Sequence, residues 1–205
     1  MRLAYFAAFA LASTAVVAQM PKAPPGSHNP AAVVAGSYTV DPNHTLIEWT
    51  VDHLGFTPYF GLFGDTTGTL TIDPAKPDAA KVDVTIPVSK VLTTNPALTG
   101  HLLRAPKEGA KADFFGANPA DAHFVSTKVT AKGETAQIDG NLTLNGVTKR
   151  VSLAAKFYGA GKMGAKDNLG FTAKTTIRRS DFGVGYGIPM VSDEVKLKIS
   201  AAFVK

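Results

Sequence analysis

Lys81-Val82-Asp83-Val84-Thr85-Ile86-Pro87-Val88-Ser89 decides how the chain is read. Val82, Val84, Ile86 and Val88 alternate with Lys81, Asp83, Thr85 and Ser89, so one face of an extended strand is apolar and the other polar. The same period of two runs on either side of it. Upstream, Ile47, Trp49, Val51 and His53 alternate with Glu48, Thr50 and Asp52, and Phe60, Leu62, Leu70 and Ile72 share one parity along a glycine-bearing segment. Downstream, a strand over residues 122–129 precedes Ile138, Leu142 and Leu144, which lead into the hairpin signal Asn145-Gly146. Val147, Val151, Leu153 and Phe157 return. Leu169, Phe171, Ala173 and Ile177 make a seventh strand, and Val195, Leu197, Ile199, Ala201 and Phe203 an eighth.

Eight strands with one apolar face must close or stack, because open edges aggregate. The pattern favours an all-β, eight-stranded antiparallel barrel over a sandwich, with Gly61, Gly64 and Gly68 at a bent corner. Residues 94–115 break the alternation. Thr94 or Asn95 is placed to cap a helix carrying Leu98, Leu102 and Leu103, and an irregular stretch leads on to Phe114-Phe115. This helix is expected to cap or flank the barrel.

Inward parity assigns a wall to the interior. Trp49, Val51, Phe60, Leu70 and Ile72 come from the first two strands, and Val84 and Ile86 from the third. Phe114 and Phe115 come from the irregular segment, and Leu142, Leu153, Phe171 and Ile177 from the later strands. Arg179 shares the parity of Phe171 and Ile177, which aims it inward near a strand end beside Asp181. The basic pairs Lys149-Arg150 and Arg178-Arg179 read as solvated strand ends, or, more sharply, as a contact for a lipid head group.

The N-terminus has another character. Arg2, an apolar run from Leu3 to Val17 and the small-residue end Val16-Val17-Ala18 give residues 1–18 the form of a secretory signal peptide, too short for a membrane span. Residues 19–36, with four prolines and no period, read as a flexible spacer, and residues 37–205 as the barrel domain. Export places the protein in the periplasm or outside the cell. The formal net charge of +5 is mild, and with export it argues against nucleic acid as a partner. No cysteine is present, which excludes disulfides, thiol chemistry and an acylated cysteine anchor.

The residues of catalysis are sparse. No serine stands in a Gly-x-Ser-x-Gly elbow, and the five histidines lack metal spacing. His44 and His53 stand nine residues apart, ~30 Å along an extended strand, too far to share a metal. The glycine pattern at 159–164 lies between strands with no helix after it, so it is not a dinucleotide loop.

The order of several motifs is specific. Tyr38-Thr39-Val40-Asp41-Pro42-Asn43-His44, His53-Leu54-Gly55 and Gly61-Leu62-Phe63 with Gly68 and Asp73 are followed by His101-Leu102, Asp113-Phe114-Phe115 and His123-Phe124-Val125-Ser126-Thr127. Gly140-Asn141-Leu142-Thr143-Leu144-Asn145-Gly146-Val147-Thr148-Lys149 and Arg179-Ser180-Asp181-Phe182-Gly183 complete the series. In that order they resemble the YceI-like family, from Tyr38 to the C-terminus. The resemblance implies a lipocalin-like barrel with an apolar tunnel for polyisoprenoid chains, a periplasmic or secreted location, and in some members a link to stress response. Where members run from His-Leu almost directly to Asp-Phe-Phe, this chain inserts residues 103–112.

The expected function is therefore carriage or sequestration of an isoprenoid of the quinone or polyprenyl phosphate type, with no cofactor, no catalytic residue and no metal. A homodimer is left open. Two alternatives remain: an enzyme using His44, His53 and Asp181 as acid or base on a lipophilic substrate, and a barrel with a filled core. N-terminal sequencing of the mature protein is expected to begin at or near Gln19; a soluble cytoplasmic product retaining residues before Ala18 would contradict export.

Overall fold

The computed structural model describes residues 23–205, so the signal-peptide reading and the first four residues of the spacer fall outside it. Eleven strands are present among the described residues: β1 (Gly26–Ser27), β2 (Gly36–Val40), β3 (Leu46–His53), β4 (Thr57–Phe63), β5 (Thr67–Ile72), β6 (Lys81–Ile86), β7 (Ala122–Lys132), β8 (Thr135–Leu144), β9 (Val147–Met163), β10 (Lys166–Arg178) and β11 (Glu194–Val204). They make the eight barrel staves that the alternation implies. β2 and β3 are two halves of the first stave, since both pair with β11 (Phe203↔Val40, Leu197↔Trp49). β4 and β5 are halves of the second, pairing with β3 and β2 respectively. From β5 to β11 each strand is antiparallel to the next, and β11 closes the circuit. The barrel is closed, and the sandwich alternative is set aside.

The breaks that halve the first two staves also invert their parity. Tyr38 and Val40 point inward on β2, whereas Trp49 and Val51 do so on β3. On the second stave, Tyr59 and Phe63 face the interior while Leu70 does so beyond the break. This corrects the sequence reading, which carried one parity from Phe60 to Ile72. Phe60 is 62% exposed and lies on the outer surface, and Leu62 also turns outward to exchange two 2.8 Å backbone hydrogen bonds with Leu92. The physical cause is the left-handed residue Asp65 (φ 53°) next to Gly64, which inserts a half-turn into the strand period.

A second correction concerns residues 23–36, which are not a loose spacer. β9 is 17 residues long and outruns β8, whose last pair is Thr135↔Lys156, so its backbone beyond that point is free to pair. β1 takes the place, with Gly26 opposite Gly161 and Ser27 opposite Ala160. The approach requires glycine: a Cβ on Gly161 would lie 2.2 Å from the Pro25 carbonyl oxygen. A 3-10 turn, Pro30–Ala32, follows, capped by the Asn29 side chain, which accepts from the Ala31 N–H.

The helix α1 (Pro96–Leu102) is the one expected. Asn95 is its cap, its Oδ1 accepting from the N–H groups of Ala97 and Leu98, and Pro96 sits where a missing N–H costs nothing. Leu98 and Leu102 turn onto Trp49, Val51 and Val195 at one end of the barrel. The β6–β7 and β10–β11 connections and the hairpins at 54–56 and 145–146 gather at this end. The N-terminal segment, the β5–β6 connection and the hairpins near Gly133 and Gly164 lie at the other.

Trp49 packs flat over Gly61, its partner across the β3–β4 pair. A Cβ on Gly61 would meet Trp49 Cζ2 at 2.4 Å and the Leu92 carbonyl oxygen at 2.5 Å. Gly61→Ala is therefore expected to destabilise the fold by ~1–3 kcal/mol in urea unfolding. Gly64→Ala, whose nearest neighbour would be Leu46 Cδ2 at 3.8 Å, is expected to be nearly neutral. Equal midpoints for the two variants would contradict the packing described.

Candidate functional site

The interior is not filled. Two cavities, of about 310 Å³ and about 540 Å³, occupy the two ends of the barrel. Both fall in the range of small-molecule sites, ~300–1,000 Å³. Ile47, Ile86, Leu142 and Leu197 line both, so the cavities abut at an aliphatic waist.

The smaller cavity lies toward the N-terminal segment, and Pro30, Val33, Pro74 and Pro77 form its floor. Leu70, Ile72, Val84, Leu153 and Phe171 line it, as the alternation expects. Phe124, Phe157 and Phe203 add to the wall although the sequence reading did not nominate them. Phe171 meets Phe157 and Phe203 edge-on, with ring centroids 5.8 and 6.2 Å apart, a geometry that suits the ring quadrupoles.

The larger cavity lies under α1 and is mixed in character. Trp49, Val51, Phe114, Phe115 and Ile177 supply apolar wall. Polar side chains join them at the rim: His53, Tyr59, Asn95, His101, Arg179 and Tyr186, with no carboxylate among the lining residues. His101 is gripped between the rings of Phe114 (5.2 Å) and Tyr186 (5.5 Å), and its Nε2 lies 2.8 Å from Asp113 Oδ2. Arg104 donates to the same carboxylate oxygen at 2.6 Å. The His101 contact first, then Arg104, holds the Asp113 carboxyl below its ordinary range. His101 and Tyr186 were not nominated from sequence: His101 lies between the leucines that mark the buried face of α1, and Tyr186 sits on a connection without a period.

Arg179 lines this cavity and is only 6% exposed, yet most of its guanidinium is already engaged. Nε donates to the Ser192 carbonyl, Nη1 to those of Val184 and Tyr186, and Nη2 to that of Val191, all at 2.8–2.9 Å. One Nη2 hydrogen of five donors remains. The side chain thereby pins the β10–β11 connection across the barrel end. Burial lowers its pKa, and the Asp193 carboxylate opposes that shift. Asp193 in turn is held low by the Ser180 hydroxyl and N–H.

Of the remaining nominated wall residues, Phe60 alone lines neither cavity, for the parity reason given above. The three side chains of the catalytic alternative do not converge. His53 lines the larger cavity, but His44 is 72% exposed and held 2.7 Å from Asp41, and Asp181 is exposed on the turn after β10. Among the described residues no cluster of three or more His, Asp or Glu side chains gathers as a metal site.

A closed eight-stranded antiparallel barrel with one helix and an apolar interior defines a lipocalin-like protein. Residues 38–203 match the YceI-like domain, and the chain belongs to the YceI-like family. A UPF0312 protein of Pseudomonas paraeruginosa is 38% identical over 172 residues, covering 82% of this chain and 86% of the relative. Among solved structures, Burkholderia cenocepacia BcnA superposes with a TM-score of 0.65 at 25% identity, covering 80% of this chain and 98% of that one. A polyisoprenoid binding domain from Saccharophagus degradans superposes with a TM-score of 0.54 at 13% identity, covering 81% and 97%; that likeness is one of fold.

Arg179→Met keeps the buried stem but leaves four carbonyls without donors. It is expected to destabilise by at least ~3 kcal/mol in urea unfolding, with faster amide exchange at Val184 to Val191. Wild-type exchange rates in that segment would contradict the pinning role.

Proposed function

We propose that the barrel binds a single long isoprenoid lipid, tail in the smaller cavity and head in the larger, and carries or sequesters it in the periplasm. The observation that carries this reading is the polarity gradient along the axis. Aliphatic and phenyl side chains dominate the smaller cavity, with Glu134 and Lys156 among its lining by the Gly133 hairpin, while the polar rim groups of the larger one stand around a mostly apolar wall. A long amphiphile matches both chambers. The chain belongs to the YceI-like family, and the Saccharophagus neighbour named for polyisoprenoid binding supports the ligand class.

The head-group end favours an acceptor. His53, Tyr59 and Tyr186 line this end, with one remaining Nη2 hydrogen of Arg179, and the Asp113 carboxylate stands behind His101 rather than in the lining, so a quinone carbonyl or a phosphate oxygen would meet donors. Tail recognition is by burial. At ~0.8 kcal/mol per methylene-sized group, filling the smaller cavity gives strong binding with little discrimination of chain shape. The acid–base set His44, His53 and Asp181 does not support a catalytic reading, since only His53 lines a cavity.

Purified protein exposed to an isoprenoid quinone in detergent is expected to retain one molecule per chain in native mass spectrometry. Phe171→Asn is expected to lower the affinity by ~1–3 kcal/mol, the cost of an unpaired amide beside the tail. No retained isoprenoid with wild type, or unchanged affinity in a folded Phe171→Asn protein, would overturn the assignment of the tail site.

A further inference from the structure

Two loops at the α1 end carry an unusual surface. Leu54 and Phe56 on the β3–β4 hairpin, and Tyr186, Ile188 and Met190 on the β10–β11 connection, are all exposed, Phe56 by 84% and Met190 by 59%. Single exposed apolar side chains are ordinary, but five on adjoining tips mark an interaction surface. Residues 54–64 and 182–192 contain no charged side chain. The loops form one rigid unit: Leu54 N–H donates to the Met190 carbonyl at 2.7 Å, Ser192 N–H donates to the Asp52 carbonyl at 3.0 Å, and Arg179 clamps the second loop from inside. Their apolar tips are thus held toward solvent rather than folded back.

We propose that this rim docks on the hydrocarbon of a lipid bilayer, with the larger cavity opening toward the membrane. The inference rests on the lipid-binding reading above. His53 adjoins the first stretch, Tyr186 and Val191 belong to the second, and all three line that cavity, so the exposed rim is continuous with the cavity mouth. A long hydrocarbon tail moving between membrane and barrel would otherwise cross water. Immersing the rim removes that step, because the tail leaves one apolar phase as it enters another. The flank fits a lipid surface too. The exposed insertion 103–112 starts and ends at the cavity wall, where Phe115 N–H donates to the Leu102 carbonyl at 3.0 Å. It carries Arg104, Lys107 and Lys111 against Glu108, with Arg104 tied to Asp113. Lys107 and Lys111 are placed to meet anionic head groups beside the docked rim. A second copy of the chain is the competing occupant, and the test separates the two.

The experiment is flotation of purified protein with vesicles of phosphatidylcholine and phosphatidylglycerol that contain no isoprenoid. Wild type is expected to float with the vesicles. Phe56→Ser combined with Met190→Ser is expected to lower vesicle affinity at least about tenfold, since both side chains leave the hydrocarbon. Met163→Ser, an exposed apolar residue at the opposite end, is expected to float as wild type does. The double variant should still retain isoprenoid in detergent, because neither side chain lines a cavity. The proposal is overturned if wild type remains with the unbound fraction, or if the double variant floats equally well. It is also overturned if light scattering shows a wild-type dimer that the double variant loses while vesicle binding persists. Protein that floats but retains no isoprenoid would refute the lipid-binding reading and leave the docking surface standing.

Discussion

β11 hydrogen-bonds on both sides, to β10 along its length and to β3 and β2 in succession, and that double pairing closes the sheet. Closure leaves no strand edge within the circuit and commits one side chain in two to the interior. An eight-stranded barrel has room for those side chains or for a slender guest. Here valine, alanine and threonine take many inward positions of β9 to β11, such as Ala155, Ala173 and Thr175, and the space they do not fill remains as cavity. The binding chamber is thus a consequence of side-chain volume on a closed sheet rather than of a separate pocket-forming element.

The two ends of the barrel are finished differently, and the difference gives the axis its direction. At the N-terminal end, a short strand and a proline-bearing 3-10 turn lie along β9 and floor the smaller cavity. At the other end, α1 and the β10–β11 connection are held by hydrogen bonds that a loose loop would lack. Asn95 caps the helix, His101 and Arg104 share the Asp113 carboxylate, and Arg179 takes four backbone carbonyls. A buried guanidinium so spent adds to the burial of Phe182 and Val184 in holding a loop whose outer tips stay apolar. The rim's shape therefore persists while its outer surface stays apolar.

The stave count and most of the wall were legible because burial imposes a period of two on each strand. Trp49, Val84, Leu142 and Phe171 were found that way, and each lines a cavity. Phe60 was misplaced because a glycine and a left-handed aspartate reset the phase, and Gly64-Asp65 in sequence looks like any other polar interruption. The order in residues 23–36 was hidden for another reason. It depends on β9 outrunning β8, a mismatch between distant strands that no local pattern records. His101 stayed hidden because the leucine spacing of α1 marks only its apolar face, Tyr186 because an aperiodic connection gives no parity to follow, and Arg179's role because its partners are backbone atoms.

The central claim is that one amphiphile spans both chambers in a fixed direction. A crystal structure of the protein loaded with an isoprenoid quinone tests it most directly. The account predicts a tail passing the waist of Ile47, Ile86, Leu142 and Leu197 into the chamber floored by Pro30 and Pro77, and a head beside His53, Asn95 and His101. A head at the proline floor, or a ligand bound only outside the barrel, would contradict it.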